Sequence, residues 1–163
     1  MPRILIAVDG SELSLDAVRH ALQLVQEGLR ADFVLAHVQE PASLYELVVS
    51  RDPDRIAAAS VQAGEHLMAP ARALLDAARA AYTSEIAVGD PAHMLADLAE
   101  STGCAQIIIG ARGQGAIRSA LLGSVSQELV HTSTVPVTIV KHAELPEAPD
   151  EGEDESELSA GRA

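Results

Sequence analysis

Gly110-Ala-Arg-Gly113-Gln-Gly-Ala-Ile-Arg-Ser-Ala-Leu-Leu-Gly123-Ser124-Val125 lies between two short apolar runs, Ala105-Gln-Ile-Ile-Ile109 before it and Pro136-Val-Thr-Ile-Val140 after it. A helical pattern follows Ser124 and leads into the second run. The order is therefore strand, glycine-studded loop, helix, strand. Glycine at 110, 113 and 123 lets backbone approach a bulky group with no Cβ in the way. Ser124 stands where a helix N-cap belongs, and free N–H groups there would point at an anion. The loop reads as a phosphate cradle, or as a loop that only turns tightly.

The same alternation runs through the chain before it. Residues 3–8 form an apolar run without alternation, as in a strand buried on both faces, and it stops at Asp9-Gly10-Ser11. The spacing predicts a helix from Ser11 to Gly28, a strand over 32–38 and an alanine-rich helical stretch over 55–81. Pro70 inside that stretch predicts a kink or two helices meeting. A strand over 83–88 closes on Gly89-Asp90-Pro91, with Asp90 as cap and Pro91 first in a helix that ends near Gly103. Strands over 105–109 and 137–140 and a helix over 124–131 complete five strands and four helical segments. That is an α/β chain with an open parallel sheet covered by helices on both faces. In such sheets ligands sit beyond the carboxyl ends of strands, where the strand order reverses. If the first and fourth strands are neighbours, the Asp9 and Gly110 loops share one crevice. Residues 39–54, with Pro41 and Pro53, read as a long loop that could cover a ligand, and 44–49 as a possible short helix.

Composition narrows the classes. With 163 residues the chain suits one domain, and with 2% aromatics its core must be built from Ala, Val, Leu and Ile. The net charge of −13 argues against nucleic acid, whose binding rests on Lys and Arg. Residues 143–163 hold eight acids and one base, so this segment carries −7 and the remainder about −6. That segment has almost no large apolar residue and reads as a disordered acidic tail beyond a domain over 1–142. No apolar stretch approaches the roughly 20 residues of a membrane span, and no signal peptide is visible. The single Cys104 has no disulfide partner and reads as a small buried hydrophobe. The chain is read as cytoplasmic. Its six histidines (20, 37, 66, 93, 131, 142) show no ligand spacing, so no metal site made of protein groups alone is assigned.

Gly110-x2-Gly113-x9-Gly123-Ser124 resembles the glycine signature of the ATP-binding branch of the universal stress protein family. The likeness spans residues 2–141 and includes Ile4-Leu-Ile-Ala-Val-Asp-Gly-Ser11, His37-Val38, Gly89-Asp-Pro91, Ser124-Val-Ser126 and Thr134-Val-Pro-Val-Thr-Ile-Val140. The resemblance implies a Rossmann-like sheet of order 3-2-1-4-5 with ATP in the crevice. Ala7, Asp9 and Ser11 would line the first loop and Val38 would meet the adenine through its backbone. Ile109, Gly110, Gly113, Gly123, Ser124 and Val125 would hold ribose and phosphates. Asp9, an anion, would bond a hydroxyl or act through water or Mg²⁺, with the Mg²⁺ held mainly by the phosphates; it could equally be a turn residue closing the first strand. Arg112 and Arg118 flank the loop and could neutralise phosphate. The last strand would be an unprotected edge unless paired, and the resemblance implies pairing with a second copy in a homodimer.

The loop has no Walker pattern, no lysine and no evident base, so no catalytic residue is assigned and turnover is at most slow. The leading expectation is an ATP-binding regulatory protein of the stress response that acts through an unknown protein partner. An ATP-using adenylyl-transfer enzyme would need a Ser-Gly-Gly loop after the first strand, where this chain has Asp9-Gly-Ser-Glu-Leu-Ser14. A phospho-acceptor receiver domain would need an acid beside Asp9. A structural dimer without nucleotide would not need the glycine signature.

Overall fold

Arg3–Ala7 forms strand β1, in which Leu5 and Ile6 are fully buried on opposite sides. In the computed structural model, which describes residues 1–41, 53–113 and 122–142, β1 is the central strand. It pairs in parallel with β2 (Asp32–Gln39) on one side and β4 (Cys104–Gly110) on the other. β3 (Tyr82–Val88) and β5 (Val137–Val140) complete the sheet, in the order β3-β2-β1-β4-β5. The helices are α1 (Leu15–Gln26), α2 (Pro53–Ala77), α3 (Pro91–Ser101) and α4 (Ser124–Thr132). This is the open parallel α/β architecture with the strand order that the resemblance implied.

Successive strand residues point to opposite faces, and each face has its own core. Ile4, Ile6, Phe33, Leu35 and Ile108 pack against Val18 and Ala21 of α1 and Met68 and Leu75 of α2. Leu5, Val34, Ile107 and Ile109 pack against Leu95 and Ala99 of α3 and Leu129 of α4. Each fully buried Leu, Ile or Phe contributes about 2 kcal/mol of transfer free energy. Alanines at 17, 21, 71 and 99, all 0% exposed, bring the helices close to the sheet.

Several boundaries differ from the sequence expectation. Helix α1 begins at Leu15, because residues 11–14 wind more tightly: Ser14 N–H reaches the Ser11 carbonyl at 3.2 Å and Leu15 N–H the Glu12 carbonyl at 3.2 Å. Ser11 still caps that lead-in turn, its Oγ accepting the Ser14 N–H at 3.1 Å. At the other end Gly28, at φ 106°, closes α1 with the paired bonds of a Schellman turn. Helix α2 is one helix, with Pro70 inside it and not between two helices. It ends at Ala77, where the Ala80 N–H turns back to the Leu75 carbonyl and Arg79 takes φ 54°. The capping role expected of Ser124 belongs to Gly123, and Ser124 is the first helical residue. Asp90 caps α3 as expected, accepting the His93 N–H at 3.1 Å. Cys104 is a buried free cysteine at the start of β4. The expectations for Arg118, for most of 39–54 and for the tail over 143–163 lie outside the described residues.

Candidate functional site

The chain leaves β1 toward β2 on one side, whereas β4 and β5 lie on the other. The strand order thus reverses between β1 and β4, and their carboxyl ends open a crevice. A cleft of about 560 Å³ occupies it, within the range of small-molecule sites. Of the ten residues singled out from the sequence, Ala7, Asp9, Val38, Ile109, Gly110, Gly113, Gly123, Ser124 and Val125 line this cleft. Ser11 does not line it; it sits behind Asp9, with its N–H and Oγ–H donating to Asp9 Oδ1 at 2.9 and 2.6 Å.

Those two bonds hold the Asp9 carboxylate, and the Asp9 N–H in turn donates to Ser14 Oγ at 3.3 Å. Oδ2 of the same carboxylate faces the glycine loop so closely that a Cβ on Gly113 would lie 2.1 Å from it. A side chain at 113 would therefore push the Asp9 carboxylate away from the bonds that Ser11 makes to it. Gly110 is needed for a different approach, since a Cβ there would come 3.1 Å from the Leu13 carbonyl. Gly123 carries no such constraint; its N–H donates to the Ala111 carbonyl at 2.7 Å and steers the chain into α4.

Helix α4 starts at the cleft with Ser124, Val125 and Ser126 on its wall. The N–H groups of a first helical turn have no acceptor within the helix, and they sit at the positive end of its dipole. Ser126 Oγ points inward, near the carbonyls of Ala111 and Gly123 at 3.0 and 2.9 Å. The opposite wall is the end of β2 and its continuation: His37, Val38, Gln39 and Glu40. His37 is 4% exposed, and its Nδ1–H donates to the Val8 carbonyl at 2.9 Å. Leu67 of α2 and Pro91 and Leu95 of α3 add apolar surface. The cleft thus has the uncapped start of a helix on one wall, and Val38, Leu67, Pro91 and Leu95 give it apolar surface among the polar groups of His37, Gln39 and Glu40.

Sequence reading placed the glycines and Asp9 but not Leu67, Leu95 or Ser126, which look like ordinary helix-face residues until the helices are packed. It also missed the grouping of Asp90, His93 and Glu128, whose donor atoms lie within 4.8 Å of one another at the exposed start of α3. Glu128 comes from another helix, so no local spacing reveals it. His93 Nδ1 bonds Asp90 Oδ1 at 2.7 Å. The His93 N–H and then its ring hold the Asp90 carboxyl below its usual range, and Asp90 holds the imidazole above its own. Among the described residues no helix is long and apolar enough to cross a membrane.

An open parallel sheet with a glycine-lined cleft at its switch point defines a class of α/β proteins that bind small molecules between loops. The profile of the universal stress protein family matches residues 1–141, and the chain belongs to that family. It is 30% identical over 146 residues to universal stress protein YxiE of Bacillus subtilis (strain 168), covering 85% of this chain and 98% of that one. Its fold is similar to that solved for the hypothetical protein MJ0577, with a TM-score of 0.75 and 24% identity over 88% of this chain and 98% of the other. It is also similar to a universal stress protein solved in complex with cAMP, with a TM-score of 0.59 and 26% identity over 85% and 95% of the two chains.

Proposed function

We propose that this protein binds an adenine nucleotide in the crevice between β1 and β4, with ATP as its ligand, and serves as a regulatory protein of the stress response. One observation carries the reading. The Asp9 carboxylate, fixed by Ser11, lies directly against Gly113, so the two loops make one cradle beside the uncapped start of α4. Backbone donors there suit phosphate, and the apolar surface of Val38, Leu67, Pro91 and Leu95 suits a base. The relative solved with cAMP, itself an adenine nucleotide, supports the same ligand class.

In this reading Ile109, Gly110, Gly113, Gly123, Ser124 and Val125 hold ribose and phosphates, Ala7 and Asp9 form the facing wall, and Val38 meets the base. Ser11 acts from behind by fixing Asp9. A carboxylate facing the cradle suits a nucleotide whose phosphates carry Mg²⁺ better than a bare polyanion. Arg112 lines the cleft. The loop has no Walker pattern, no lysine and no evident base, so hydrolysis is slow or absent. The nucleotide-binding domain spans 1–142 and the acidic segment 143–163 extends it. The half-buried outer strand β5 pairs with a second copy in a cytoplasmic homodimer.

Denaturing the purified protein and identifying released nucleotide tests the site. ATP near one per chain, or saturable binding of Mg-ATP by calorimetry, is the expected result. Released ADP or AMP would point to turnover instead. No nucleotide and no binding of added Mg-ATP would overturn the reading. Sedimentation separately tests the dimer, and a monomeric mass at micromolar concentration would remove it.

A further inference from the structure

The pairing of β1 with β2 stops one rung early. Register runs to Ala7↔Ala36, and the Val8 N–H still donates to the Ala36 carbonyl at 2.9 Å. In a parallel ladder the next bond would run from the Val38 N–H to the Val8 carbonyl, because residues two apart present their polar groups to the same neighbour. Gln39 confirms the alternation, since its carbonyl faces β3 and accepts the Gly89 N–H at 3.0 Å. Val38 therefore presents its N–H and C=O toward β1. The expected rung is not made. The Val8 carbonyl instead accepts the Nδ1–H of His37, at 2.9 Å and from the buried ring. Room for that ring comes from α2, where a Cβ on Gly64 would lie 3.2 Å from the ring's Cδ2.

The geometry points to His37 as a positioning residue: by drawing the Val8 carbonyl toward its ring and out of line with β2 it keeps the Val38 N–H and C=O unpaired and open to the cleft, so that this donor–acceptor pair reads the base of the ligand. The carbonyl can only accept, so the ring proton on that side sits on Nδ1. A backbone N–H and C=O held side by side match the N1 acceptor and 6-amino donor of adenine. Hypoxanthine presents an N1–H donor and a 6-oxo acceptor, which reverses both. His37 thus sets base selectivity through Val38. The selectivity half of this inference rests on the nucleotide reading of the cleft; the ladder half does not.

The test uses the full chain with His37→Leu, which removes the donor, and His37→Asn, whose amide can donate from nearly the same place. Amide exchange at Val38 in the ligand-free protein comes first. The expected result is slowing by about tenfold or more in His37→Leu, as the freed Val8 carbonyl takes up the Val38 N–H, and no slowing in His37→Asn. Equal exchange in a folded His37→Leu protein would overturn the inference. Calorimetry with ATP and ITP follows. The wild type prefers ATP, His37→Leu loses about tenfold in ATP affinity together with most of that preference, and His37→Asn regains both. Unchanged affinity and preference in His37→Leu would also overturn it. A wild type that binds neither nucleotide defeats the nucleotide reading, while the exchange result still decides what His37 does to the ladder.

Discussion

Helices α3 and α4 both begin beside the cleft, and their first turns are completed in different ways. At α3 the Asp90 side chain accepts the His93 N–H, and Pro91 at the first position has no N–H to satisfy. At α4 the capping residue is Gly123, which has no side chain to offer, and the residues of the first turn, Ser124 to Ser126, line the cleft. A helix that caps itself is finished; one that does not keeps its donors and positive dipole end for a ligand. Two neighbouring helices of similar length thus differ at their starts, and in the proposed reading one contributes stability and the other a site.

The sharpest way to break this contrast is to finish α4 as α3 is finished. Gly123→Asp is expected to raise unfolding free energy by a few tenths of a kcal/mol, since φ is −76° at that position and the side chain can cap. It should weaken Mg-ATP binding by about a hundredfold or more, because two unit charges at about 4 Å repel by about 4 kcal/mol at an effective dielectric of about 20. Calorimetry and urea unfolding on the same preparation check both. Asp90→Ala is the reciprocal change. It should lower Tm by about 2–4 °C through the lost cap and leave nucleotide affinity unchanged.

A smaller effect sharpens the account of α3. The imidazole of His93 is raised by Asp90, so its contribution is complete below its ordinary value of 6.5 and is lost as pH rises through the folded-state pKa. The Asp90 carboxyl is lowered by the His93 N–H and ring, so its contribution is present above 3.8 and is lost as pH falls through its own folded pKa. The pair is therefore fully formed between those ordinary values. The Tm difference between wild type and His93→Gln should be largest between the ordinary values of 3.8 and 6.5 and shrink as pH rises through the raised pKa of His93. Both groups are exposed, so salt should reduce it.

The helix C-termini extend the comparison with the smallest effect. Helix α1 closes on Gly28 at φ 106°, whereas α2 closes with Arg79 at φ 54°. A left-handed conformation costs a residue with a Cβ about 1 kcal/mol, and glycine removes that cost. Arg79→Gly is expected to gain about 0.5 kcal/mol in urea unfolding after the added freedom of the unfolded chain is allowed for.

What could be read in advance was local. Asp90-Pro91 announced a helix start because cap and proline act within one turn, and the unbroken run from Ile4 to Val8 announced a central strand. The readings that moved depended on distant partners. Strand ends shifted by a residue or so because β4 extends to Gly110 wherever β5 offers Val140. Ser124 lost its capping role because Gly123 is bonded to Ala111 and turns the chain one residue earlier. Pro70 did not divide α2, whose flanking residues Met68 and Ala71 are held in the core.

The sequence by itself determined the elements, their alternation, the glycine spacing and the family. Those rest on residue periodicity and on backbone conformations that only a few residue types adopt. Tertiary structure decided that Asp9 lies against Gly113, that His37 takes the Val8 carbonyl 29 residues back along the chain, and that Glu128 approaches His93. Those contacts follow from which strands are neighbours and in what register. That choice is made by burying both faces of the sheet at once, and no local stretch of sequence carries it.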